Sequence, residues 1–169
     1  MKQIVSNTGP LISLEKIPNG FELIRRSYDQ IIIPTSVLLE LTEGITPEKQ
    51  SYLEYYQIKD LITVVSVGIL DNIPEKHYLD IGELEAISLA FKLNYQLLIE
   101  EKHGRRIAKK MGLEISGIAG QVMKLFHENK ISSTEALSHL ETLYQHFRIN
   151  KMIYEGLKKY KSLNLSTAD

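Results

Sequence analysis

Short apolar blocks separated by stretches of helical spacing set the pattern of this chain. Four runs, Gln3-Ile4-Val5-Ser6, Ile31-Ile32-Ile33, Ile62-Thr63-Val64-Val65 and Leu97-Leu98-Ile99, are brief and mostly β-branched or leucine. Apolar residues at successive positions, without alternation, are what a strand covered on both faces requires. Between the runs the apolar positions follow a helical period. Pro10 and Pro34 stand where helices would begin, since proline presets φ and wastes no N–H in a first turn. The segment from Asp80 to Asn94 carries Leu84, Ala86, Ile87, Leu89, Ala90, Phe91 and Leu93 almost all round, the pattern of a helix buried against a sheet. Strands alternating with helices predict βαβ units and a mainly parallel sheet. After residue 116 the strand signals fade into helical stripes, among them Ala136, Leu137, Leu140, Leu143, Tyr144 and Phe147. The expectation is a three-layer α/β/α sandwich with a helical C-terminal part.

With no internal repeat, low-complexity tract or Gly/Ser linker, the chain reads as one domain over residues 1–169. Its α/β core would run to about residue 120, with a helical extension over about 121–169. Apolar residues make up 43% and charged residues 24%, which leaves no room for extended disorder. No stretch approaches the roughly 20 apolar residues that span a bilayer, and the apolar run in MKQIVSNTG is too short for a secretion signal. Cysteine is absent, which excludes a disulfide framework, a thiolate nucleophile and a zinc knuckle, and a reducing cytoplasm is the expected location. The net charge of −1 conceals an asymmetry: residues 1–101 hold 8 Lys/Arg against 15 Asp/Glu, and residues 102–169 hold 12 against 6. An acidic pocket beside a basic rim is the simplest arrangement of that kind, one side attracting metal ions and the other phosphates.

Open parallel sheets bind ligands outside the carboxyl ends of their strands. Asn7 follows the first strand, Glu40 lies on the helix after the second, Glu83 opens the buried helix, and Glu101 follows the fourth strand. Three of these four are carboxylates, which raise one another's pKa unless a cation joins them. A hard, oxygen-seeking ion such as Mg²⁺ or Mn²⁺ suits such ligands and can neutralise charge developing on a phosphodiester. Each position also has a plain structural use. Asn7 serves as a turn or cap residue before Pro10. Glu83 completes a capping box with Asp80, and Glu40, between Leu39 and Leu41, pairs with a lysine on a helix surface. Glu85 lies roughly 200° around the helix from Glu83 and faces elsewhere. Of Glu100 and Glu101, adjacent at a strand end, at most one enters the pocket.

At these residues the chain resembles the PIN-domain family. Ile4 to Ile12 is similar to the family's opening strand and turn, and Ile33-Pro34-Thr35-Ser36-Val37 with Glu40 to its second block. Gly82 to Ala90 is similar to the third, and Leu98-Ile99-Glu100-Glu101 with Gly104-Arg105-Arg106 to the fourth. The match runs in order from about residue 3 to residue 120 and lies nearest to a branch related to VapC toxins. The resemblance implies Mg²⁺- or Mn²⁺-dependent cleavage of RNA by a toxin that a small antitoxin covers. It places Asn7, Glu40, Glu83 and Glu101 at the acidic catalytic sites, the three glutamates as metal ligands, and Thr8 on the substrate side. Asn7 stands where the family has Asp, and an amide ligates through oxygen without adding charge. Glu83 and Glu101 replace Asp and reach one methylene further, where a catalytic group tolerates only ~0.5 Å of misplacement.

Lys102, Arg105, Arg106, Lys109 and Lys110 place five cations within nine residues, either a phosphate-binding face or an ordinary solvated one. The histidines show no metal-ligand spacing, which argues against zinc. Tyr52, Tyr55 and Tyr56 serve packing or base stacking. The 136–147 stripe and a tail helix with Met152, Ile153 and Leu157 are expected in the core, or as a groove for a partner helix or a second copy. The functions in contention are a metal-dependent ribonuclease toxin and a PIN-like module that binds RNA or protein without catalysis. A nucleotide-binding or phosphatase domain ranks below both, because no GxxxxGK loop is present.

Overall fold

The computed structural model describes residues 1–43 and 51–165, with side chains through residue 159. Strand β1 (Gln3–Ser6) leads into α1 (Thr8–Lys16) and α2 (Gly20–Arg25), then β2 (Gln30–Pro34) and α3 (Thr35–Glu43). After α4 (Tyr52–Tyr55) come β3 (Ile62–Val65), a 3-10 turn (Lys76–Tyr78), α5 (Ile81–Leu93) and β4 (Leu97–Leu98). The chain continues through α6 (Lys102–Lys110), β5 (Ile115–Ser116), α7 (Ile118–His127), α8 (Ser133–Gln145) and α9 (Lys151–Leu165). All pairings are parallel, in the order β3-β2-β1-β4-β5. The four apolar runs became strands at nearly their expected limits. The fifth strand is additional, two half-buried residues carrying almost no pattern of their own.

The blocks are apolar throughout because both faces of the sheet are covered. Ile4, Ile31, Ile33 and Leu98 belong to a core shared with α1, α2, α7 and α8. Val5, Ile32, Leu97 and Ile99 point the other way, into a core with α5 and α6. Successive strand residues thus serve opposite layers, and the sandwich has the three layers expected. Pro34 closes β2 immediately before α3, and Pro10 sits in the first turn of α1, where a missing N–H costs nothing. Helix α5 runs between the Asp80 cap and Asn94 in a left-handed turn, as its pattern predicted, although Phe91 and Leu93 near its end are exposed.

The C-terminal stripe is divided. Ala136, Leu140 and Leu143 are buried, but Phe147, Met152 and Ile153, expected in the core, face solvent. The reason is a helix stop. Helix α8 ends at Gln145, and Phe147 takes a left-handed φ of 56°. Its N–H donates to the Tyr144 carbonyl at 3.0 Å, while the Arg148 N–H donates to the Leu143 carbonyl at 2.8 Å. This is a Schellman turn with phenylalanine where glycine is usual, at a cost of about 1–2 kcal/mol. The same turn that throws Phe147 outward aims Arg148 back at the sheet.

Candidate active site

With β2 and β3 on one side of β1 and β4 and β5 on the other, strand order reverses between β1 and β4. The crevice of a doubly wound sheet opens at the carboxyl ends of such a pair. Asn7 stands at the N-cap position of α1 directly after β1, and Glu101 at that of α6 three residues after β4, neither side chain bonding its helix. The Asn7 amide is buried, with 3% of its surface accessible. Its Nδ2 donates to Glu101 Oε2 at 3.0 Å, and its Oδ1 has no partner.

Glu40 and Glu83 come in from α3 and α5. The Thr8 hydroxyl donates to Glu40 Oε2, and the Gly82 backbone also bonds to this carboxylate. Glu40 therefore has no lysine partner in its helix, and of its neighbours Leu41 is buried while Leu39 faces water. Glu83 fills the capping use expected of it. Its N–H donates to Asp80 Oδ1 at 2.7 Å and its Oε2 accepts from the Asp80 N–H at 3.2 Å, a complete capping box. The side chain is nonetheless 6% accessible and turned into the pocket.

Each carboxylate rests against a glycine. A Cβ at Gly82 would stand 2.5 Å from Glu40 Oε1, one at Gly104 would stand 2.7 Å from Glu83 Oε1, and one at Gly9 would overlap Glu101 Oε1. The backbone is pared away where the acids converge, so any side chain there would displace them.

Their charges are felt mutually. Burial, then the charges of Asp80, Glu101 and Glu40, push the Glu83 carboxyl up to about 7. Burial raises Glu40 as well; the Thr8 hydroxyl opposes that rise and the Asp80 charge adds to it. Asp80, which the sequence marked only as a cap, is thus a fourth acid of the pocket. A cluster of oxygens with raised carboxyl pKa values and one buried, orphaned amide oxygen has the donor chemistry of a hard divalent cation. Among the described residues, no three histidine or acidic side chains already stand close enough to enclose one ion.

The neighbouring groups sort themselves by layer. Glu85 accepts from the Ser36 hydroxyl at 2.6 Å. Glu100 points opposite to Glu101, into the α1–α7 layer, where it accepts from Ser13 Oγ (2.7 Å), the Ile118 N–H (3.2 Å) and Arg148 Nη2 (2.9 Å). Arg148 also donates to Ser13 Oγ at 2.8 Å and to the Gly9 carbonyl at 3.0 Å. Sequence reasoning missed this clamp. Of the basic run, Arg106 and Lys110 are engaged by Glu75, at 2.6 and 2.5 Å. Arg105 donates to the Ile99 carbonyl at 2.8 Å, and Lys102 and Lys109 are exposed. Tyr52 is buried with its hydroxyl on Glu15, Tyr56 packs on Phe21, and Tyr55 is exposed.

The family model DUF3368, described as a PIN domain, matches residues 3–162. Among solved structures, a PilT N-terminus domain protein from the hyperthermophilic archaeon Sulfolobus solfataricus P2 superposes with a TM-score of 0.53. It is 21% identical in sequence, and the match covers 72% of this chain and 92% of that one. At that identity the likeness speaks for the fold. No curated protein matches the chain.

Proposed function

The chain belongs to the PIN-domain family, a nuclease fold, and from that premise we propose that it is a divalent-metal-dependent ribonuclease of the VapC-like toxin type. The observation that carries the proposal is the convergence of Glu40, Glu83 and Glu101 on one crevice beside the unpartnered Asn7 Oδ1. Glu40, Glu83 and Glu101 would hold Mg²⁺ or Mn²⁺, with Asn7 as a neutral oxygen ligand. When bound, the ion supplies water activation and neutralises charge on the phosphodiester. The chain's own groups prepare that site. Thr8 and the Gly82 backbone fix the Glu40 carboxylate, the Asn7 amide holds Glu101, and the Asp80 N–H fixes one oxygen of Glu83. That leaves Glu83 Oε1 to carry or release a proton near neutral pH. Thr8 stands at the crevice on Glu40, and Lys102, Arg105 and Lys109 of α6 would meet the RNA. Arg106 and Lys110 would join them after parting from Glu75.

On this reading the protein works in the cytoplasm, and a small antitoxin or a second copy of the chain covers its exposed apolar positions. Among the described residues no helix is long and apolar enough to cross a membrane. A non-catalytic RNA- or protein-binding module is the second reading, favoured by the neutral Asn7 where the family has an acid. Cleavage separates the two. Purified protein should cut RNA with Mn²⁺ and not with EDTA, and Glu40→Gln should lower the rate at least a hundredfold while leaving the fold intact. Cleavage that survives Glu40→Gln removes the assignment.

A further inference from the structure

We propose that the groove between the start of α6 and the α8–α9 junction is a track for single-stranded nucleic acid, in which an unpaired base stacks on Phe147. The proposal rests on the ribonuclease reading and specifies the form of its substrate. The groove encloses about 870 Å³, and its charged lining is Lys102, Arg105, Arg148 and Lys151 against a single acid, Glu100. Glu100 is itself neutralised by Arg148, so the surface offered to a ligand is cationic. A second hollow of about 430 Å³ adjoins it and shares Glu100, Arg105 and Arg148. The groove leads to the acidic crevice, because Lys102 directly follows Glu101 and Arg148 bonds the Gly9 carbonyl beneath it.

Phe147 is the unusual member. It is 93% exposed in a left-handed conformation that glycine would hold without strain. Folding gains nothing from either choice, and residues kept against such costs concentrate at functional sites. The half-buried floor combines the Arg148 guanidinium and the Glu100 carboxylate with Tyr144 and Ile149, while Phe147 and Met152, 79% exposed, stand at the rim. Cations along a trough with an aromatic face beside it match a strand whose phosphates run along the trough and whose base turns outward to stack.

The test reads binding without cleavage, by fluorescence anisotropy of a labelled 12-nucleotide single-stranded RNA in EDTA. Phe147→Ala should weaken binding about tenfold and Phe147→Trp should restore it, with duplex RNA of the same sequence unaffected by either change. Lys102→Ala with Lys151→Ala should flatten the salt dependence, by about 0.7 in log–log slope for each phosphate no longer neutralised. Phe147 is solvent-exposed, so these variants are expected to fold. The proposal falls if Phe147→Ala binds as tightly as the parent, if the duplex loses as much as the single strand, or if light scattering shows Phe147→Ala only breaking up a dimer. A parent protein that shows the stacking effect yet leaves RNA uncut with Mn²⁺ supports the track and overturns the ribonuclease reading. Cutting with Phe147-independent binding does the reverse.

Discussion

Glu100 and Glu101 are neighbours in sequence and opposites in environment. Glu100 turns into the α1–α7 layer, where a hydroxyl, a backbone N–H and a guanidinium all reach its two oxygens. Glu101 turns toward the crevice, where its hydrogen-bond donor is one neutral amide and where its charge raises Glu83. Both carboxylates lie in the short link between β4 and α6, which turns them to opposite sides. One is saturated, as a structural charge must be once taken out of water. The other is exposed to water beside other acids, with one protein donor, an arrangement that leaves it open to a cation. The difference gives a working rule for this molecule: compensated charge holds it together, and uncompensated charge marks what it does.

The largest consequence falls on the compensated side. Arg148→Met removes three hydrogen bonds at once and strands a mostly buried Glu100. Breaking a buried pair from one side costs about 3–5 kcal/mol, roughly 10 °C in midpoint for a chain of this size. Thermal unfolding monitored by circular dichroism measures it. The double variant Glu100→Gln with Arg148→Met should lose much less than the sum of the single changes, since the second removes the charge stranded by the first. Additive losses would mean that the two groups are not one unit.

The next effect lies in the crevice and depends on pH. An unfolded chain titrates Glu83 near 4.5, whereas the folded pocket holds it to about 7. The folded state therefore binds the proton more tightly. Stability falls as pH climbs from about 4.5 to 7 and stays low above, where the ionised carboxylate is held among other acids. The gap corresponds to about 3 kcal/mol. Glu83→Gln removes that penalty and keeps a side-chain oxygen for the Asp80 N–H, so the variant should exceed the parent in urea resistance at pH 8 in EDTA. The two should converge at pH 4. Mn²⁺ should raise the parent at pH 8 and leave the variant unmoved. Equal stability at pH 8 would mean that the acids do not press on Glu83.

How far this was visible beforehand differs between fold and site. The strands were legible because both faces are covered, so Ile31, Ile32 and Ile33 are all buried with no polar position between them. Strand β5 was not, because Ile115 and Ser116 become a strand only by pairing with Leu97 and Leu98. Asn7, Glu40, Glu83 and Glu101 could be placed at one sheet edge from their positions after strands and at helix starts. The glycines against which the acids rest, and Asp80 as a further charge, emerge only in three dimensions. Phe147 was expected inside because a helical period does not say where the helix stops. Arg148 carries no local signal at all: its partner Glu100 lies 48 residues away. The same holds for Glu75, which sits 31 and 35 residues from the cations it engages.

Asn7 offers the finest adjustment of the contrast, because a single atom decides which side of it the residue stands on. As an amide it gives Glu101 its hydrogen bond and leaves Oδ1 buried and unpartnered. Asn7→Asp, which restores the acid usual in the family, exchanges that donor for a like charge about 3 Å from Glu101. Without metal the variant should lose about 1 kcal/mol, the worth of a part-buried hydrogen bond whose acceptor water can reach. The new carboxyl should also titrate above the ordinary aspartate range, since it faces Glu101 across the crevice. With Mn²⁺ the order should reverse, because another negative oxygen strengthens the set for a hard cation. Calorimetric titration with Mn²⁺ and urea melts with and without the ion measure both arms. If the variant is as stable as the parent in EDTA and binds Mn²⁺ no better, Asn7 is a cap that happens to lie near the acids.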